Sequence, residues 1–288
     1  MTFNDIHVRD PFILVDGGKY YLYGSRGPET WGKCTGLDVY VSEDMETWSE
    51  AVEVFTPPAD FWSDFNFWAP EVHAYKGAYY MFVSFKSDTR RRGTQILKAE
   101  SPMGPFVPHS NGPVTPEEWE CLDGTLYVAP DGKPYMVFCH EWVQIKDGEM
   151  CAIELTEDLS APVGKPFLLF RASDPVWASG FEDEGEKDNY VTDGPFLYRT
   201  QDGTLLMIWS SFAQNAYCEG IAYSDNGDIT GSWIHDERLL FAEDGGHGMI
   251  FKTLEGELKF IFHQPNNSPN ERPHVISLKD VGNTIYEA

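Results

Sequence analysis

Five segments of the chain each carry an ionisable residue close to the start of an apolar run. They are RDPFILVD from Arg9, APEVHAY from Ala69, LDGTLYV from Leu122, TDGPFLYR from Thr192 and GHGMIFK from Gly246. The ionisable residues are Asp10, Glu71, Asp123, Asp193 and His247, spaced roughly 50 to 70 residues apart. If these positions face one another, four carboxyls and an imidazole share one small volume. Like charges so crowded raise each other's pKa values, so such a ring costs stability and calls for a chemical reason. Two carboxyls across a polar cleft are the minimal apparatus for cleaving a glycosidic bond: one protonates the leaving oxygen while the other activates water. A third can hold the acid's pKa up and orient it. A single Asp at such a place is most simply a turn cap. Five at matching places in a repeat require a shared cause.

The elements that would position them follow the same repeat. Each opening run is followed by a Gly-containing turn (Asp16-Gly17-Gly18, Asp131-Gly132, Asp202-Gly203, Glu255-Gly256) and an aromatic-rich strand, the pattern of a β-hairpin. A third alternating run follows each hairpin, at Gly36, Thr94, Glu149, Cys218 and Arg272, and most units add a fourth near Trp48, Phe106, Pro166 and Trp233. Four strands per unit and five units predict an all-β, five-bladed β-propeller, one domain over 1–288, with the last strand closing the ring. A β-sandwich does not repeat at this period. The innermost strand of each blade lines the axis, so the five ionisable residues are expected at one mouth of the central channel.

Composition limits the partners. Among 288 residues, 21 Lys+Arg against 46 Asp+Glu leave a formal charge of −25. Such a field opposes nucleic acid and anionic lipid and suits a neutral polar substrate, with sugars the obvious class. No apolar run reaches the roughly 20 residues of a membrane helix. The opening MTFNDIHVRDPF lacks a signal-peptide pattern, which points to the cytoplasm, or to the periplasm or exterior if a leader has been trimmed. Cys34, Cys121, Cys139, Cys151 and Cys218 show no CxxC spacing and read as buried free thiols rather than a zinc site. A monomer or weak homo-oligomer is expected.

With these motifs in order, the chain resembles the propeller glycoside hydrolases of family 43, which include α-L-arabinofuranosidases, β-xylosidases and arabinanases. The resemblance covers almost the whole chain. RDPFI is similar to the family's first-blade motif, which makes Asp10 the general base. LDGTLY with the following DGK resembles the segment whose Asp tunes and orients the acid, here Asp123. The family's acid is a Glu in E-G-P-hydrophobic-Y; this chain has TDGPFLY, so the shorter Asp193 takes the place, with Glu141 of CHEW as the alternative acid. Trp68 and Glu71 of WAPE resemble a sugar wall and a polar contact. His247 of GHGMIF resembles the residue that faces an axial calcium or sodium ion, a structural ion and not a required cofactor. Arg272 matches the family's late Arg that reaches the sugar. The resemblance implies inversion by a single displacement with water.

Some residues carry a bland reading beside the functional one. His263 and Gln264 close the last hairpin, either lining the pocket or capping the strand. His247 serves equally as a core hydrogen-bonding group, and Trp68 as plain core. Arg90, Arg91 and Arg92 read as a solvated hairpin tip, and FEDEGEKDN from Phe181 as a solvated loop or a lid. The favoured function is an exo-acting hydrolase that releases α-L-arabinofuranosyl or β-xylosyl units. A glycoside phosphorylase would need a phosphate site, for which only Arg26, Lys86 and Arg272 are near the expected mouth. A non-catalytic sugar-binding propeller is the third reading.

Overall fold

The computed structural model describes residues 1–288 and is built almost entirely of strands. Blade one comprises β1 (Val8–Asp16), β2 (Lys19–Arg26), β3 (Leu37–Ser42) and β4 (Val52–Phe55); blade two comprises β5 (Phe65–Tyr75), β6 (Ala78–Ser87), β7 (Arg90–Ala99) and β8 (Val107–Pro108). Blade three holds β9 (Cys121–Val128), β10 (Pro134–His140), β11 (Glu149–Leu155) and β12 (Pro162–Arg171). A small hairpin, β13 (Phe181–Asp183) and β14 (Glu186–Asn189), precedes blade four: β15 (Asp193–Arg199), β16 (Leu205–Ala213), β17 (Ala216–Ser224) and β18 (Trp233–His235). Blade five is β19 (Gly246–Lys252), β20 (Leu258–Gln264), β21 (Arg272–Asp280) and β22 (Ile285–Glu287). Every blade is an antiparallel meander in chain order. The five-bladed propeller expected from the repeat is the fold observed. No helix is long and apolar enough to cross a membrane.

Local chemistry explains the meander. The β1–β2 loop is the two residues Gly17 and Gly18, both at positive φ (54° and 76°), the mirror-image turn whose twist matches paired strands. Between blades, aromatic and aliphatic side chains interlock: Phe55, Phe67 and Phe85 join blades one and two, and Phe82 and Phe138 lie in the layer between two and three. Phe170 and Trp209 pack between three and four, and Ile208 with Phe260 between four and five. Each such side chain buried from water contributes about 1.5–3 kcal/mol, so the blades cohere chiefly through their apolar faces.

The ring closes differently from expectation. β22 pairs only with β21 on the outside of blade five, and no strand is exchanged between the first and last blades. Side chains close the seam instead. Arg9 donates to Glu271 Oε1 at 2.6 Å and to Asn266 Oδ1 at 2.8 Å, and Tyr20 meets Phe251 edge-on with ring centroids 6.5 Å apart. All five cysteines are free and buried, as their spacing suggested.

Candidate active site

Each innermost strand carries a β-bulge near its start, and the bulges set the geometry of the site. Pairing slips between Arg9 and Phe12, Trp68 and Glu71, Asp193 and Phe196, and Gly246 and Met249, and around Asp123 in blade three. At every slip one residue takes positive φ: Asp10 (54°), Ala69 (48°), Asp123 (58°), Gly194 (50°) and His247 (49°). These five are the true equivalents. The sequence alignment on ionisable residues therefore needs correction in two blades: Glu71 lies two residues past its bulge, and Asp193 one residue before. At Gly194 a Cβ would stand 2.6 Å from the His247 ring, so glycine lets blade five's imidazole pack against blade four.

The axial pocket is lined by Arg9, Asp10, Thr30, Trp31, Trp68, Leu122, Asp123, Asp193 and His247, around a space of about 70 Å³. His247 Nδ1 lies 3.1 Å from Asp10 Oδ1 and 3.6 Å from Asp123 Oδ2, so one ring nitrogen faces both carboxylates. Ser25 donates to Asp10 Oδ2 at 2.7 Å, and the Tyr217 hydroxyl donates to Asp193 Oδ2 at 2.9 Å. Gly194 N–H donates to Asp123 Oδ2 at 3.0 Å. Two residues past Asp10 on β1, Phe12 meets His73 and Phe196 edge-on, joining the innermost strands of blades one, two and four.

The carboxyls differ sharply in proton affinity. Burial raises Asp10, but His247, the Arg9 guanidinium and the Ser25 hydroxyl outweigh it and hold Asp10 below its ordinary 3.8. Burial and the neighbouring Asp123 push Asp193 up to about 7, against partial relief from His247 and Tyr217. Asp123 is also driven upward, first by burial and then by Asp10. One carboxyl thus favours the ionised form while another at the same pocket keeps a proton near neutrality. That is the division of labour an acid–base pair needs.

The residue assignments fare unequally. Trp68 lines the pocket, donates to the Thr30 carbonyl at 2.5 Å and meets Trp31 edge-on at 5.3 Å. Glu71 is buried further down the channel, bonded to His73 Nε2 at 3.0 Å, and does not line the pocket. His263 is fully buried. Its Nδ1 accepts the Asp10 N–H at 3.3 Å while Nε2 faces Asn266 Oδ1 at 3.3 Å, so it supports Asp10 from behind and cannot reach a sugar. Arg272 is spent on the Asn4, Pro269 and Glu271 carbonyls and on His7, outside the pocket. Glu141 is buried in an ion pair with Arg92, whose guanidinium in turn lies 4.1 Å from the Trp68 ring centre. Arg92 is therefore part of the wall's support and not a solvated hairpin tip.

A family model described as Glycosyl hydrolases family 43 matches residues 4–278. The chain belongs to that family. A solved endo-arabinase from Bacteroides thetaiotaomicron VPI-5482 is 40% identical, superposes with a TM-score of 0.90, and is matched over 97% of this chain and 96% of its own. The extracellular endo-alpha-(1->5)-L-arabinanase 1 of Bacillus subtilis (strain 168) is 26% identical over 255 residues, 83% of this chain and 71% of the relative. An exo-1,5-alpha-L-arabinanase from a bovine ruminal metagenomic library shares the fold, with a TM-score of 0.69 at 17% identity over 98% of this chain and 97% of its own.

In this family-43 glycoside hydrolase, His247 is the residue that the motifs place beside an axial ion, and its Nδ1 is turned to Asp10 and Asp123. The cations that a phosphorylase would use are engaged with protein: Arg26 with Asp38 and Glu53, Lys86 with Glu120, and Arg272 as above. Sequence reasoning missed Trp31, Arg92 and Tyr217. Trp31 is 63% exposed on the β2–β3 loop, with only its proximity to RDPF in chain order as a hint. Tyr217 sits in an ordinary alternating strand and carries no local signal at all.

Beside the axial pocket opens a cleft of about 370 Å³ that shares Arg9, Trp31 and Asp193 with it. Its walls include Trp142, Phe181 and Phe212. The FEDEGEKDN stretch folds as the β13–β14 hairpin, solvent-exposed from Glu182 to Asp188, while Phe181 packs edge-on against Trp142 at 4.8 Å and tilted against Phe212 at 5.7 Å.

Proposed function

We propose that this family-43 hydrolase cuts within α-1,5-linked arabinan by single displacement, with Asp10 as base and Asp193 as acid. The observation that carries the chemistry is the contrast in surroundings: Asp10 lies against His247, Arg9 and Ser25, which favour its ionised form, while Asp193 is buried beside Asp123 with the Tyr217 hydroxyl and is raised to about 7. Asp10 takes a proton from water as its oxygen attacks the anomeric carbon. Asp193 gives its proton to the leaving oxygen as that bond breaks. Asp123, bonded to the N–H of the residue after Asp193, orients the acid. Trp31 and Trp68 supply apolar faces for sugar rings.

Attack inside a chain is supported by the shape of the rim and by the endo-acting relatives. Long connections border the site at residues 27–36, 141–148 and 265–271, whereas β6–β7 and β16–β17 are joined by two residues each, Asp88-Thr89 and Gln214-Asn215. The cleft leaves the axial pocket over Phe212 and Tyr217 of blade four, walled by Trp142 and by Phe181 of the β13–β14 hairpin, and gives further sugar units room beside the carboxyls. Exo release of arabinofuranosyl or xylosyl units, favoured by the sequence motifs, calls for a closed end.

The test is digestion of linear α-1,5-arabinan with product lengths followed in time. Early accumulation of mixed oligomers, with the newly formed end in the inverted configuration by NMR, is the expected result. Monosaccharide alone from the first minutes would return the reading to exo attack. In parallel, Asp193→Ala should keep turnover on a dinitrophenyl arabinofuranoside, which needs little protonation, and lose it on arabinan. If Glu141→Ala shows that selective pattern instead, Glu141 is the acid.

A further inference from the structure

Adjacent blades are fastened near the site by one side chain per junction, and blade three departs from the rule. The residue paired with each pre-bulge position lies on the second strand: Ser25 with Arg9, Ser84 with Trp68, Cys139 with Leu122, Ser210 with Asp193, and His263 with Gly246. Four of these accept the N–H of the next blade's bulge residue. Ala69 donates to Ser25 Oγ at 2.8 Å, Asp123 to Ser84 Oγ at 3.0 Å, His247 to Ser210 Oγ at 2.7 Å, and Asp10 to His263 Nδ1 at 3.3 Å. At the remaining junction the Gly194 N–H bypasses Cys139 and donates to Asp123 Oδ2 at 3.0 Å. The fully buried Cys139 thiol lies 4.0 Å from Met150 Sδ.

Blade one shows what a hydroxyl does at this place. Ser25 accepts the neighbouring N–H and also donates to its own blade's Asp10 at 2.7 Å, so it stands between carboxylate and next blade. A thiol is a weak acceptor and a weak donor and cannot take that double role. We infer that Cys139 is a positioning residue: by offering Gly194 no hydroxyl, it commits the Asp123 carboxylate to the backbone beside Asp193. This rests on the reading of Asp193 as the acid. The consequence is that two carboxyls are kept close across the blade junction, where ionising both together is opposed, and this helps the acid keep a proton into the neutral range.

The experiment compares Cys139→Ser with Cys139→Ala through the pH dependence of kcat/KM on linear α-1,5-arabinan, whose leaving group needs the acid's proton. Serine should capture the Gly194 N–H and bond Asp123 as Ser25 bonds Asp10, letting Asp123 draw back. The basic limb should then move to lower pH by about one unit, the scale on which neighbouring charges shift carboxyls. Alanine offers no acceptor and should leave that limb in place. A crystal structure of Cys139→Ser should show the Gly194 N–H on the new hydroxyl. Identical basic limbs in the two variants would overturn the inference. So would a Cys139→Ser protein that fails to fold where Cys139→Ala folds, because a hydroxyl with both partners waiting is not an orphan. Asp193→Ala on the activated glycoside separates the two levels: loss of its leaving-group selectivity sinks the acid assignment, whereas the partner of the Gly194 N–H in the Cys139→Ser structure tests the placement of Asp123 by itself.

Discussion

Asp193→Asn should stabilise the protein while disabling it, by an amount that depends on pH. The Asp193 carboxyl is raised from 3.8 to about 7 in the fold, first by burial and then by Asp123. A carboxyl whose folded pKa is raised destabilises the fold progressively as pH climbs from the unfolded value to the folded one. The penalty is absent below 3.8, grows through the window between 3.8 and about 7, and is constant above. At about 1.36 kcal/mol per pH unit, the plateau is on the order of 4 kcal/mol. Asparagine is neutral throughout and its amide oxygen can still accept from Tyr217. The variant should therefore match the wild type in urea unfolding near pH 4 and exceed it by several kcal/mol at pH 8. A stability difference that does not change between those pH values would refute the placement of Asp193 in a desolvated, like-charged site. The measurement needs no substrate, so it tests the electrostatics apart from the proposed reaction.

Two further perturbations probe the base and the buried pair. Asp10→Ala should lower kcat/KM on arabinan at least about 100-fold, the usual contribution of a positioned base, with unfolding still cooperative; near-native turnover would remove Asp10 from that role. Glu141→Gln leaves the Arg92 guanidinium without its carboxylate in a site where both groups are buried, and should cost about 3–5 kcal/mol in urea unfolding. If Glu141 is only this counter-ion, that variant should slow dinitrophenyl and natural substrates alike.

The blade count, the strand order and the presence of an acidic axial site were legible from the chain because they depend on local properties. Gly-Gly and Asp-Gly turns set hairpins wherever they occur, and apolar runs of the same length recur five times, so five meanders follow without knowledge of their packing. Asp10, Asp123 and His247 could be matched because each is itself the bulge residue. The register of the other two blades escaped because a bulge inserts one residue, and sequence cannot say which residue of a short polar stretch takes the positive φ. A marker was present: Pro11, Pro70, Gly124, Pro195 and Gly248 each follow the bulge residue directly, and aligning on them yields Ala69 and Gly194 in place of Glu71 and Asp193. The neighbours of the carboxyls were beyond any local reading. Tyr217 reaches Asp193 from two strands away, His263 supports Asp10 across the seam from 253 residues along the chain, and Arg92 turns inward to Glu141. These contacts exist only when five blades are packed in a ring. Burial and proximity, and not residue identity, decide which of three chemically identical aspartates is ionised and which keeps its proton.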